Sequence, residues 1–203
     1  MRSGQGGFLV KEHRWALIVV DMQNDFVMPG APFHVAGALV TIPRIREALD
    51  HFRERGHPVF HVVREYRQDG SDVEITRLRR FLEGAPALVA DTYGSEIVCD
   101  LAPRDGEYRV VKKRFSAFMF TELDLMLRRL SVTGLVVCGT QLPVCVRETV
   151  FDAVAYGYEC VLLTDGSSAR TEDIAKANIR DMRDIGVACM SVKEFISAHL
   201  PAC

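Results

Sequence analysis

Three side chains able to share covalent chemistry stand just past apolar runs of the chain. Asp21 follows ALIVV at 16–20, Lys112 follows YRVV at 108–111, and Cys145 follows GLVVCG at 134–139 after a short polar turn. A cysteine nucleophile needs one group to take its proton and return it to the leaving group, and a positive charge to hold the thiolate. Asp21 suits the first task as base and then acid. Lys112 suits the second, stabilising the thiolate and positioning Asp21. Attack by Cys145 on an amide carbonyl would give a tetrahedral oxyanion, which backbone N–H groups at the start of a helix could receive. Water would then hydrolyse the thioester.

The stretch that carries Cys145 changes period at that residue. Leu135 to Cys138 form a continuous apolar run between glycines, which reads as a strand buried on both faces. From Cys145 onward, Val146, Thr149, Val150, Ala153 and Val154 recur on one helical stripe, so the thiol is expected to open a helix. Unpaired N–H groups and the helix dipole favour an anion there. Taken alone, Cys145 is equally well a small buried apolar residue, and Asp21 reads first as a turn or helix cap. What separates these readings is whether the three residues meet.

The elements that must position them read as six short strands at 16–20, 58–63, 108–111, 134–139, 160–163 and 187–190. Helices fall between them. One runs from Pro43 to Arg55 with Gly56 past its end, another from Thr121 to Arg129, and another from Thr171 to Asp184. Ser71 with Glu74, and Ser191 with Glu194, have the spacing of capping boxes for two further helices. This alternation implies right-handed crossovers and a three-layer αβα domain around a six-stranded, mostly parallel, Rossmann-like sheet. Ligands bind such sheets beyond the carboxyl ends of the strands, where the strand order reverses. Asp21, Lys112 and Cys145 are therefore expected at one edge. Residues 1–13 are polar and glycine-rich, an expected loose arm, with a single domain over 14–203. The stretch 82–101 has no secure element, and Thr92, Tyr93 and Gly94 within it are a candidate further contribution to the site. His61 reads as a packed strand residue.

With 203 residues and 48% hydrophobic content, the chain can build one sizeable core. A net charge of −2 supplies no basic field for nucleic acid or an anionic membrane, so a small-molecule partner is expected. No apolar run approaches the roughly 20 residues that span a bilayer, and the start of the chain lacks a signal-peptide core, so a soluble cytoplasmic protein is expected. The six cysteines form no C-x-x-C pair, and three lie in apolar strand runs, which indicates neither a disulfide framework nor a zinc site.

Three motifs in order complete the reading: D-x-Q-N-D-F from Asp21, K-x-R-F-S-A-F-x-x-T from Lys112, and G-T-Q-x-P-x-C-V-x-x-T-x-x-D-A around Cys145. Together they resemble the isochorismatase-like cysteine hydrolases, the superfamily of nicotinamidases, N-carbamoylsarcosine amidase and ureidoacrylate amidohydrolases. The resemblance implies an Asp21, Lys112, Cys145 triad, with Lys112 chosen over Lys113 because it lies four residues before Ser116. It also implies a cis peptide at Thr140–Gln141 and an oxyanion hole from the N–H groups of Gln141 and Cys145. Nicotinamidases of this family hold a divalent metal through an Asp and histidines after the second strand. Here that place reads REYRQDGSDVE, so no metal or other cofactor is expected, and nicotinamide is not the expected substrate. A small amide, carbamoyl or ureido compound is expected, with vinyl ether hydrolysis of the isochorismatase type, or a catalytically idle binder, as alternatives. Gln23, Phe26, Arg114, Phe115 and Phe118 stand beside the triad in the motifs and are candidate substrate contacts. Arg64 is a second candidate for binding a substrate carboxylate. By analogy with the family, a homodimer or homotetramer is expected.

Overall fold

A computed structural model describes residues 14–84 and 86–198. The expected N-terminal arm lies outside the described residues. In chain order the elements are β1 (Trp15–Val20), α1 (Asn24–Val27), α2 (Ile42–Glu54), β2 (Val59–Arg64), α3 (Ile75–Glu83), β3 (Tyr108–Lys112) and α4 (Leu123–Arg129). They continue through β4 (Gly134–Thr140), α5 (Arg147–Ala155), β5 (Glu159–Ser168), α6 (Glu172–Asp184), β6 (Ala188–Met190) and α7 (Val192–Ser197). The sheet order is β3-β2-β1-β4-β5-β6, and every pairing is parallel. Order therefore reverses between β1 and β4, which feed Asp21 and Cys145.

Strand alternation builds two cores, one on each face. Trp15, Leu17 and Val19 of β1 point to one side, with Ile45, Leu49 and Phe52 of α2 and Phe195 of α7. Ala16, Ile18 and Val20 point to the other, with Leu123 and Leu127 of α4, Val150 and Ala153 of α5, and Met182 of α6. These are the three layers the element pattern implies.

Local structure departs from the sequence expectation in three places that touch the site. First, Cys145 does not open an α-helix; Leu142–Val146 form a π-helical turn, and α5 begins at Arg147. The expected stripe holds through Ala153, but Val154 is 40% exposed. Second, Ser71 and Glu74 do not form a capping box. Glu74 is the N-cap of α3 without a side-chain cap bond, because its carboxylate turns inward to Arg64 and Tyr66. The Ser191–Glu194 box does form. Third, β5 runs on to Ser168, so Ser167 and Ser168 pair with Gly139 and Thr140 and carry the end of β4 to the reactive turn. Gly139 has φ +117°, and a Cβ there would stand 2.1 Å from the Val20 carbonyl oxygen, so only glycine fits this crossing.

Candidate active site

The end of β1 leads directly into Asp21, fully buried in left-handed backbone at φ 52°, with its N–H bonded to the Val62 carbonyl at 2.8 Å. Lys112 is the last residue of β3, and β2 separates β3 from β1. Its long stem crosses the end of β2, and Nζ donates to Asp21 Oδ2 at 2.8 Å and to the Arg114 carbonyl at 3.2 Å. Both side chains are wholly buried. Lys113 points elsewhere, pairing with Asp72 at 3.0 Å on a 37% exposed side chain. The geometry therefore joins Lys112, not Lys113, to Asp21.

Cys145 is 1% exposed and lies against this pair. Burial pushes its thiol up from the usual value; Lys112 and Arg64 pull it down, while the Asp21 charge and hydrogen bond hold the proton on sulfur. An easily ionised thiol at a helix start is thus corrected to a thiol whose ionisation depends on two neighbouring cations. Asp21 Oδ1 is buried without another hydrogen-bond partner, which leaves it as the oxygen for a proton leaving sulfur. The Thr140–Gln141 peptide is cis, as the resemblance implied.

The remaining candidates divide. Gln23 is buried and braces backbone: Nε2 donates to the Arg64 and Ser95 carbonyls at 2.8 and 2.7 Å, and Oε1 accepts from the Arg64 N–H at 2.7 Å. Phe26 belongs to the core over α2 and packs on Phe33 at 6.0 Å. Phe118 packs on Tyr156 and Tyr158 at 5.3 and 6.0 Å, on the side facing α5. Phe115 stays at the site, its ring 5.2 Å from the Arg64 guanidinium and 4.9 Å from that of Arg77. Arg114 aims its guanidinium at the Asp72 carbonyl, 2.8 Å away, and offers the site only its own carbonyl. Tyr93 and Gly94 sit against Asn24 and Asp25 of α1 rather than against the thiol. His61 is a packed strand residue, its Nε2 2.8 Å from Glu107 Oε2.

Arg64, read from the sequence as a candidate for binding a substrate carboxylate, holds groups of the protein itself. It is fully buried, with Nη2 donating to Cys145 Sγ at 3.4 Å, and with Glu74 and Tyr66 around Nη1. The missed signal is in the pattern already used: Arg64 ends its apolar strand as Asp21 and Lys112 end theirs. The same residues answer whether a divalent metal fits after β2. A guanidinium already sits among the acidic and phenolic oxygens there, and no cluster of three or more His, Cys, Asp or Glu suited to a metal occurs among the described residues. The donor set does not fit a metal.

A family model described as the isochorismatase domain matches residues 15–194. The chain is 42% identical over 188 residues to an Arabidopsis thaliana protein named a probable inactive nicotinamidase, covering 90% of this chain and 96% of that one. It is 31% identical over 172 residues to the N-carbamoylsarcosine amidase of an Arthrobacter species, covering 84% and 65%. Among solved structures, an isochorismatase family protein from Desulfovibrio vulgaris superposes with a TM-score of 0.89 at 49% identity, covering 92% and 98%.

Proposed function

The chain belongs to the isochorismatase family, and from that premise we propose that it is a hydrolase of amide C–N bonds that cleaves a small amide, carbamoyl or ureido compound through a thioester on Cys145. The observation that carries this reading is the 2.8 Å contact between Lys112 Nζ and Asp21 Oδ2, made against a buried cysteine at the switch point of the sheet. Nicotinamide is not the amide proposed. The residues after β2 do not fit the metal that nicotinamidases use, and the 42% identical relative is named a probable inactive nicotinamidase.

In the proposed cycle the Cys145 proton passes to Asp21 and sulfur attacks the carbonyl carbon. The carbonyl electron pair moves to oxygen, which the N–H groups of Gln141 and Cys145 receive. The C–N bond breaks as Asp21 returns its proton to nitrogen, releasing ammonia or an amine and leaving the thioester. Asp21 then takes a proton from water as the water oxygen adds to the thioester carbon, and the C–S bond breaks as Asp21 returns that proton to sulfur and the acid leaves. Lys112 keeps its charge throughout and holds Asp21 in place. Gln23 contributes by fixing the backbone of Arg64 beside Asp21, and Phe115 supplies an apolar wall.

Incubation with a panel of carbamoyl, ureido and simple amides, with ammonia as the readout, tests the reading. At least one compound is expected to be hydrolysed by the wild type and not by C145A. Turnover by C145A would overturn the covalent step. Silence across the panel would replace the amidase reading with an idle binder, and release of pyruvate from isochorismate alone would replace it with vinyl ether hydrolysis. The site of action we propose is the cytoplasm, as a homodimer or homotetramer. Free Cys138, Cys145 and Cys160 in the interior suit a reducing compartment. Exposed Met119, Phe120 and Tyr156 offer an apolar patch for a second copy.

A further inference from the structure

A buried guanidinium is costly unless its N–H groups are paired, and Arg64 is buried completely. Its Nη1 donates to Tyr66 Oη at 2.8 Å and forms an ion pair with Glu74 Oε1, while the Tyr66 hydroxyl donates to Glu74 Oε2. Phe115 covers the group at 5.2 Å. One edge of the fork is therefore fixed by a carboxylate and a phenol. The other edge faces the reaction: Nη2 donates to the Arg114 carbonyl at 2.9 Å and to Cys145 Sγ at 3.4 Å, and Nε lies 4.0 Å from Asp21 Oδ2.

Charge counting explains why two cations stand here. With the thiol protonated, Lys112 and Arg64 balance Asp21 and Glu74. When the proton moves from sulfur to Asp21, the same two cations balance the thiolate and Glu74. Without Arg64, Glu74 would lack its cation in either protonation state, and the sulfur would ionise without the N–H that touches it, in a closed interior. Burial works against the charge on Arg64, but Cys145, Asp21, Tyr66 and Glu74 more than restore it, so the guanidinium stays charged.

We propose that Arg64 is a further catalytic residue of this site: Nη2, in contact with the Cys145 sulfur, stabilises the anion that forms there as the proton passes to Asp21, and Tyr66 and Glu74 are the positioning residues that aim it. Its part in turnover rests on the thioester reading above, but its contact with sulfur is measurable without substrate. The groups that set the ionisation of sulfur are Asp21 at the end of β1, Arg64, Tyr66 and Glu74 beyond β2, and Lys112 at the end of β3. Glu148 in the first turn of α5 feels both Arg64 and Lys112.

The test is the rate of iodoacetamide alkylation at Cys145 against pH, read by mass spectrometry of the Cys145 peptide, together with thermal melts and ammonia release. In R64M the midpoint is expected to rise by about one pH unit or more, with roughly a tenfold slower reaction at neutral pH. R64K, which keeps the charge and loses the fork, is expected to fall between. R64M/E74Q leaves no buried carboxylate without its cation and serves where R64M does not fold; its midpoint is also expected to rise. An unmoved midpoint in folded R64M or R64M/E74Q, with turnover retained, would overturn the inference and leave the amidase reading standing. A shifted midpoint in a family of variants whose wild type hydrolyses nothing on the panel would support the hold of Arg64 on the Cys145 sulfur and overturn the amidase reading together with the part of Arg64 in turnover.

Discussion

Lys112 Nζ donates to Asp21 Oδ2 at 2.8 Å across a sequence separation of 91 residues, reaching over the end of the strand that lies between them. Removing one member of a buried pair strands the other charge, at a cost of about 3–5 kcal/mol. K112M is therefore expected to lower the thermal midpoint by on the order of 10 °C. D21N keeps the shape and loses the proton carrier, so turnover should fall by about 10²–10⁴. Calorimetry and ammonia release on the two variants check this; a K112M protein as stable and active as the wild type would dissolve the pair as a functional unit.

Gly139 connects β4 to the reactive turn where nothing larger fits. In G139A the new methyl would meet the Val20 carbonyl oxygen at 2.1 Å in backbone at φ +117°. The obstacle is the central strand β1, which cannot give way cheaply. The expected loss is about 3 kcal/mol or more. Urea unfolding measures it, and a variant within about 0.5 kcal/mol of the wild type would contradict the crossing.

Two phenylalanines of one motif separate by function. Phe118 packs on Tyr156 and Tyr158, and F118A should cost about 3–5 kcal/mol of stability while leaving KM unchanged. Phe115 lies against Arg64, and F115A should change KM or kcat for the substrate found on the amide panel. Paired melts and initial rates decide, and the reverse pattern would move the substrate wall to Phe118.

Stability should fall in two stages as pH drops. Burial lowers His51, His57 and His61 from the ordinary 6.5, so the unfolded chain binds more protons below that value. Their contribution is complete above pH 6.5 and is lost as pH falls beneath it. Burial pushes Glu107 up, but bonds from Arg53, the Arg104 N–H and His61 more than reverse this and bring it to about 2. Its contribution is complete above pH 4.5 and is lost between there and about 2. Urea unfolding at stepped pH should show both stages, with the lower one smaller in E107Q, where Glu74, which burial pushes up but Arg64 and Tyr66 bring down, still contributes. A flat profile from pH 7 to 5 would rule out the histidine stage.

The sequence by itself determined the six strands, their parallel alternation with helices, and the strand-end placement of Asp21, Lys112 and Cys145. Those follow from local periodicity and from a rule of sheet topology, both of which are written along the chain. It could not separate Phe115 from Phe118, because neighbours in an irregular loop have no period to assign their faces. Nor could it place Glu74, whose spacing from Ser71 satisfies a helix cap but whose carboxylate goes to Arg64 instead. Tertiary structure alone decided that Arg64 turns inward. A guanidinium is tolerated in the interior only when partners from several segments converge on it, here Tyr66, Glu74, the Arg114 carbonyl and the Cys145 sulfur. That convergence exists only once the strands lie side by side.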